Sequence, residues 1–512
     1  MRRIERSHVT ASADIDALAK GGRTNIAGFV LRLVARIPFL FIAGRIYGPE
    51  LVGQFAVAVV VVELAALVAT LGLKRGLAQA LSGTERPHVH VVWDAMLLAF
   101  LLSMAASTLL WVFPQLLYPN TAVSGLDRWL ALVVVAVAWS DISLAALAYR
   151  LNVKAAVTAR AVVEPWTISV AAWAFSFFTL RDGLVLSYVA SMIAALVASL
   201  IPFVREYGWP RGWSPHLRPL FLLARANAPL AGADALEWGS RNVDRFILGL
   251  LFSPAVVGIY YMAQQVSSLP QKLKTSFDPV LGPVITQALH DDDRAAVARQ
   301  VRQVAFWIIA AQLLLALMGG IPGEAVMGVV GPEFVAGTAA LAFLLIAEVF
   351  ASTGAVCESA LVYTARGRNL MISGVMLGVQ VALSFALIGG MRALGWPEAW
   401  AAAGPAVALV VAMACMSLIK AALLRRILGA PVSPLRWPLV WAALAGGTVG
   451  VAFTLLPPSL EWAELLIGLP AIAAVYLAVL WRYAFGPEDR ALFGSVPGPR
   501  EAALPHSGAP AR

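Results

Sequence analysis

The sequence predicts an all-α, polytopic membrane protein of about 14 transmembrane helices, built as two six-helix lobes in parallel repeat plus two C-terminal helices. Three observations lead there. The 512 residues are 60% hydrophobic and only 13% charged, with a mean hydropathy of +0.79, far outside the range of soluble domains. Apolar runs of roughly 20 residues, enough to cross a hydrocarbon core of about 30 Å, recur along the whole chain. The stretch GPELVGQFAVA (48–58) returns as SPAVVGIYYMA (253–263), matching Pro49 with Pro254, Val52 with Val257, Gly53 with Gly258, Phe55 with Tyr260 and Ala58 with Ala263.

The first 24 residues are polar, with no short apolar run ahead of a small-residue cleavage site, so the first apolar run is expected to be the first anchor. Runs then follow at 26–47, 51–73, 91–113, 128–149, 161–180 and 184–204, which form an N-lobe at 25–204. A Trp-, Pro- and Arg-rich linker (205–221) leads to runs at 225–250, 254–286, 304–322, 334–362, 370–390 and 400–424, a C-lobe at 222–424. Two more runs, 437–456 and 462–484, lie outside the repeat, and the Pro- and Gly-rich tail 485–512 reads as disordered. Alternate loops are basic, beginning with Arg2, Arg3, Arg6, Lys20 and Arg23 and continuing through Lys74, Arg75 and Arg86, then Arg150, Lys154 and Arg160, and later Lys420, Arg425 and Arg426. The positive-inside rule therefore puts both termini in the cytoplasm. It also accounts for the formal charge of +9 without any nucleic acid.

Six runs separate the two copies of the corner, so both copies have the same orientation and the repeat is parallel. A substrate site is then expected between the lobes, near the bilayer midplane. Within the corner, Pro fixes φ at a helix start and Gly lets two helices approach closely. Shorter echoes are LAQAL (77–81) with ITQAL (285–289), and Asp141 with Glu348.

The run RIYGPELVGQFAVAVVVVELAALVATLGLKRGLAQAL resembles the start of bacterial polysaccharide-transport flippases, members of the multidrug, oligosaccharidyl-lipid and polysaccharide exporter superfamily. NVDRFILGLLFSPAVVGIYYMAQQVSSLP and GPEFVAGTAALAFLLIAEV are similar to later parts of the same family. The resemblance implies a two-lobed exporter that moves an undecaprenyl-pyrophosphate-linked oligosaccharide to the outer leaflet by alternating access, for exopolysaccharide, capsule or lipopolysaccharide O-antigen export. It implies no covalent chemistry and no cofactor. Its partners would be the lipid-linked substrate, membrane lipids, and polysaccharide polymerase and export proteins.

An ionised side chain at a helix centre costs about 2.5–3.5 kcal/mol on insertion scales, so intramembrane charges are candidates for function. The seventh run holds Asp234, Glu237, Arg241, Asp244 and Arg245, with Asn227, spaced along one helical stripe that cannot face lipid. Such a stripe lines a wet cavity, pairs with another helix, or neutralises itself through Glu237 and Arg241 with Asp234 sharing one Arg. Arg32 and Arg36 share a face of the first run. They need an anion, either the acidic stripe of the seventh run or a pyrophosphate, whose oxygens suit guanidinium forks. Lys272 and Lys274, in a run irregular with Pro270, Pro279 and Pro283, add point charges or snorkel to the interface. The candidate pyrophosphate ligands are thus Arg32, Arg36, Arg241, Lys272 and Lys274. Glu63, Asp141, Glu348 and Glu358 sit alone in apolar runs, and Asp141 with Glu348 is the best pair for ion coupling.

Two rival functions have discriminating features. Cation-coupled small-molecule efflux would want an acidic cavity, and a membrane glycan polymerase or ligase would want a long outer loop, whereas the longest here spans 114–128. His88 and His90 read as a solvated loop with no metal site. Residues 290–303 read as an N-capped cytoplasmic amphipathic helix, Cys357 and Cys415 as thiols within helices, and Trp93, Trp111 and Trp129 as interfacial anchors.

Overall fold

The computed structural model describes residues 34–119, 123, 125–275, 285, 293–457 and 460–486, with the side chains of 153, 269–275 and 461 left aside. Every regular element among the described residues is helical. In chain order these are α1 (34–47), α2 (Gly48–Thr70), α3 (Leu73–Ser82), α4 (His88–Val112), α5 (Leu130–Tyr149), α6 (153–176), α7 (Leu180–Tyr207) and α8 (Leu217–Leu251). The second half follows with α9 (Pro254–Thr275), α10 (Arg294–Gly320), α11 (Gly323–Val330), α12 (Thr338–Thr364), α13 (Arg366–Ala393), α14 (Glu398–Leu428), α15 (Trp437–Thr454) and α16 (461–484). Ten helical stretches are long and apolar enough to cross a membrane, and the stretch Val34–Ser82 contains both α1 and α2. With α6, α8 and α9, which charged or polar residues or a change of helical pitch interrupt, the membrane helices among the described residues number fourteen, as the sequence predicts.

Helices are the solution because a backbone crossing lipid must satisfy its own hydrogen bonds. The chain turns where Gly or Pro permits it. Gly48 takes φ 76° between α1 and α2, with Pro49 inside the first turn of the new helix. Leu71 and Gly72, both left-handed at φ 48° and 70°, end α2 and start α3. Within the first lobe, α7 packs on α5 and α6, and α5 packs on α4; in the second, α14 packs on α12 and α13, and α10 on α12. The last two helices dock on α10, where the Tyr476 hydroxyl donates to the Ala310 carbonyl at 2.8 Å and the Arg436 guanidinium lies 3.8 Å over Phe306.

The two copies of the corner meet each other. A β-carbon on Gly53 would lie 1.6 Å from the Pro254 carbonyl oxygen, and one on Gly258 would lie 2.0 Å from that of Pro49. Glycine at both positions therefore brings α2 and α9 into backbone contact across the lobe boundary. Val52, Val257, Phe55, Tyr260, Ala58 and Ala263, the other matched positions, are all buried there. Beside them Arg45 donates to the Gly328 and Val329 carbonyls at 3.1 and 3.3 Å, capping the C-terminus of α11 in the opposite lobe. We call this side the corner end and the side with the basic connections the basic end.

Four local expectations change. The segment 293–303 is N-capped as expected, Asp293 accepting from the Ala296 amide at 2.8 Å, but it is the start of α10 and continues without a break to Gly320. Buried Val297, Ala298 and Val301 pack its first turns against the second lobe. His88 and His90 open α4 instead of lying in a solvated loop: the His88 ring meets Tyr149 edge-on, and His90 Nε2 is 3.2 Å from the Arg211 carbonyl. The eighth run ends as a described helix at Thr275 after passing through Pro270, and Pro279 and Pro283 lie outside the described residues. Lys420 is no loop residue but is fully buried within α14.

Because the Gly53 and Gly258 contacts are backbone to backbone, no neighbouring side chain can move aside for a larger residue. Gly53→Val and Gly258→Val are each expected to cost about 2–3 kcal/mol. Thermal unfolding of the detergent-purified protein checks this, with Gly232→Val, where nothing lies within 4 Å, as the control.

Candidate functional site between the lobes

Helix α2 of the first lobe and α8 of the second touch at two levels. Near the corner end, a β-carbon on Gly249 would lie 2.9 Å from a Val57 methyl group, and near the basic end one on Gly72 would lie 2.5 Å from the Ala231 amide nitrogen. Between these levels lies a polar cluster assembled from five helices. Glu63 of α2 faces the Trp238 indole N–H of α8 and the charges of Arg245 (α8) and Arg36 (α1). The Arg245 guanidinium lies 5.4 Å over the ring of Tyr261 of α9, which also feels the charges of Arg36 and Glu63. Tyr188 of α7 faces Glu63 and Glu164.

Arg245 is the best-defined member. It is buried, its Nη2 donates to Asn242, and its backbone amide donates to Asp244 at 2.8 Å. Its Nε is also buried and has no hydrogen-bond partner among the described residues. Asp244 in turn is fully buried and accepts from the Tyr260 hydroxyl at 2.6 Å. Tyr260 is a repeat-corner residue, so the corner fixes the backbone that presents Arg245.

Toward the basic end the charges pair. Asp141 does not sit alone: it accepts from Arg160 of α6 and lies 3.4 Å from Lys74 of α3, while Arg160 also bonds Glu164 at 2.8 Å. Glu358 does not sit alone either, since the buried Lys420 ammonium donates to it at 2.8 Å and to Ser373 at 3.0 Å. Each lobe thus holds an acid–base pair on its fourth membrane helix, in the half nearer the basic end. The acid carrying this pair in the second lobe is Glu358, whereas Glu348, the residue the sequence offset matches to Asp141, is half-buried on α12.

The acidic stripe of α8 takes a partner the sequence did not single out. Arg75 of α3 reaches across the lobe boundary to Asp234 at 3.0 Å and to Glu237 at 2.5 Å. Arg241 lies 3.6 Å from Glu237, one turn away. The expected sharing of one arginine by Asp234 and Glu237 is present, but that arginine is Arg75, and Arg36 faces Glu63 instead of the stripe. Arg32 lies outside the described residues, as do the side chains of Lys272 and Lys274. Arg75, Arg160 and Lys420 had each been counted among the loop charges. The signal that could have reassigned them is the lone intramembrane acid, which needs a cation within reach.

The Glu358–Lys420 pair yields a stability test, because removing one partner strands the other charge. Glu358→Ala is expected to destabilise the protein by about 3 kcal/mol, while Glu358→Leu combined with Lys420→Met recovers most of that loss. Melting temperatures of the purified variants decide it, and equal losses for single and double variants would show that the pair is not a unit.

Comparison with known proteins places this geometry in a family. The fold is similar to that of the lipid II flippase MurJ in an inward closed conformation, at TM-score 0.70 and 12% identity, covering 92% of this chain and 100% of that one. It is also similar to an inward-facing MATE family multidrug resistance transporter of the MOP superfamily, at TM-score 0.61 and 13% identity over 78% of this chain and 98% of that one. A MOP superfamily transporter from Pyrococcus furiosus, described by the reverse polarity of its binding pocket, matches at TM-score 0.53 and 14% identity over 81% of this chain and 95% of that one. No curated protein sequence matches. The sequence profile described as polysaccharide biosynthesis protein matches residues 21–289, more than half of the chain. The chain belongs to the polysaccharide biosynthesis protein family.

Proposed function

We propose that the protein is a flippase for a lipid-linked oligosaccharide, of the undecaprenyl-pyrophosphate type, in the bacterial inner membrane. Both termini lie in the cytoplasm, so the basic end is the cytoplasmic end. The exported glycan belongs to an exopolysaccharide, capsule or O-antigen, and polysaccharide polymerase and export proteins act on it afterwards. Family membership and the MurJ-like fold support the transport reading. The observation that carries the choice of substrate is Arg245, a buried guanidinium between the lobes with an unfilled Nε donor, beside Arg36 and Tyr261.

Such a group is poorly placed to bind a cation and well placed to bind a phosphate oxygen through a charge-assisted hydrogen bond. Arg36 supplies a second fork from the first helix, and Glu63 between them keeps both charges tolerable while the site is empty. Phosphate oxygens would take the place of the Glu63 carboxylate. Arg32, Arg241, Lys272 and Lys274 extend the basic path, and Asp141, Glu348 and the acids of α8 are the groups through which an ion gradient would act. Efflux of small cationic molecules fits less well, because two arginines flank Glu63 while the nearby carboxylates Glu164 and Asp244 are already engaged by Arg160 and Tyr260.

The expected outcome is that Arg36→Ala and Arg245→Ala each cut glycan export at least tenfold at normal protein abundance. Arg245→Lys is expected to restore little, since a point charge does not reproduce the fork. Export unchanged in both alanine variants would remove the phosphate role.

A further inference from the structure

At the corner end the lobes are joined by backbone contacts and by Arg45 capping α11, with no ion pair between described residues, whereas at the basic end the joining element is the ten-residue helix α3, which carries two consecutive cations. Leu73, Leu77 and Leu81 bury one side of α3 against its own lobe. Gly72 and Gly76 set it directly on α8: a β-carbon on Gly76 would lie 1.6 Å from Asn227 Oδ1. Consecutive helical residues diverge by about 100°. Lys74 therefore points to Asp141 of its own lobe, and Arg75 points to Asp234 and Glu237 of the other.

Further observations show that this is a connection between two charge networks and not a surface decoration. Behind Lys74, Asp141 is held by Arg160, which is held by Glu164. Behind Glu237 stand Arg241 and, further into the lobe, the charge of Lys420. Arg75 also feels Glu358, the partner of Lys420. One short helix thus lies between the acid–base pairs of the two lobes.

We propose that α3 is the gate at the basic end, with Lys74 as its hinge-side anchor and Arg75 as a bolt that engages Asp234 and Glu237 when that end is closed. This rests on the alternating-access reading for its purpose but not for its test. The Arg75 side chain is 56% exposed and that of Glu237 49%, while Asp234 lies buried beneath them; the Arg75–Glu237 half of the bolt is therefore a solvated ion pair of modest strength, weakened by salt, that thermal motion can release. A backbone contact between glycines at the other end has no such release. Freeing Arg75 lets the lobes part beside α3 and connects the Arg36, Glu63 and Arg245 cluster to that side of the membrane, while the corner end stays closed.

The test is a spin-label distance measurement on the full chain in lipid nanodiscs, with Cys357 and Cys415 replaced by alanine. One label pair, at Ser82 and Arg218, spans the basic end, and another, at Glu50 and Ser253, spans the corner end. Arg75→Gln is expected to raise the long-distance population of the first pair roughly fivefold, as loss of one such ion pair allows, and to leave the second pair unchanged. Asp234→Asn with Glu237→Gln is expected to do the same, with no further rise when combined with Arg75→Gln. The exchange Arg75→Glu with Glu237→Arg is expected to restore the short distance, which also shows that the altered chain folds. An unchanged first distance in Arg75→Gln, additive effects of the two sides, or equal loosening at both ends would each overturn the gate. Because no substrate is present, a shifted distance upholds the gate even where glycan export fails to depend on Arg36 and Arg245, and an unshifted one removes it whatever the export result.

Discussion

The contact on which the structure depends is the one between the two copies of the Pro–Gly corner. In a bilayer there is little hydrophobic drive to bring helices together, so close packing of small residues has to do it. Gly53 against Pro254 and Gly258 against Pro49 supply that packing twice, about the repeat axis. From there the consequences run inward. Tyr260, one of the repeated positions, holds the buried Asp244 carboxylate, and the helix that carries Asp244 also carries Arg245. The junction of the lobes and the candidate anion site are therefore built from the same few residues.

Electrostatics arranges the rest. Charges inside the membrane are tolerated only in company, and those resolved here fall into two kinds. Asp141 with Arg160 and Glu358 with Lys420 are paired within their own lobes. Arg36, Glu63 and Arg245 meet between lobes, and Arg75 crosses the boundary to Asp234 and Glu237. Contacts of the second kind change when the lobes move, which is why function is argued from them.

Much of the fold was legible because it is written in long patterns. Hydropathy and loop charge gave fourteen membrane helices, and the match of Gly53 with Gly258 indicated two similar lobes before any contact was known. The site was legible only in part. Helical spacing put Asp234 and Glu237 on a stripe that needs a partner, and Arg36 on a face that needs an anion. It could not name the partner, because nothing local in the sequence ties Arg75 to Asp234 and Glu237 more than 150 positions away. The same limit explains Lys420 and Arg160, whose positions near helix ends made them look like loop charges. At the start of α10 the acidic cap was legible, but the arginines that follow hide the continuity of this turn with the membrane helix, which shows only in the unbroken helix Arg294–Gly320 and the burial of Val297 and Val301.

The central claim is translocation of a lipid-linked glycan by a family member whose lobes close around a buried anion site. Its most direct measurement is to delete the gene in its host, extract the lipid-linked glycans and determine on which side of the inner membrane they accumulate. The account predicts a complete repeat unit on its lipid diphosphate, facing the cytoplasm, and its mass would identify the substrate. Single units accumulating on the outer face, or no lipid-linked glycan at all, would contradict it.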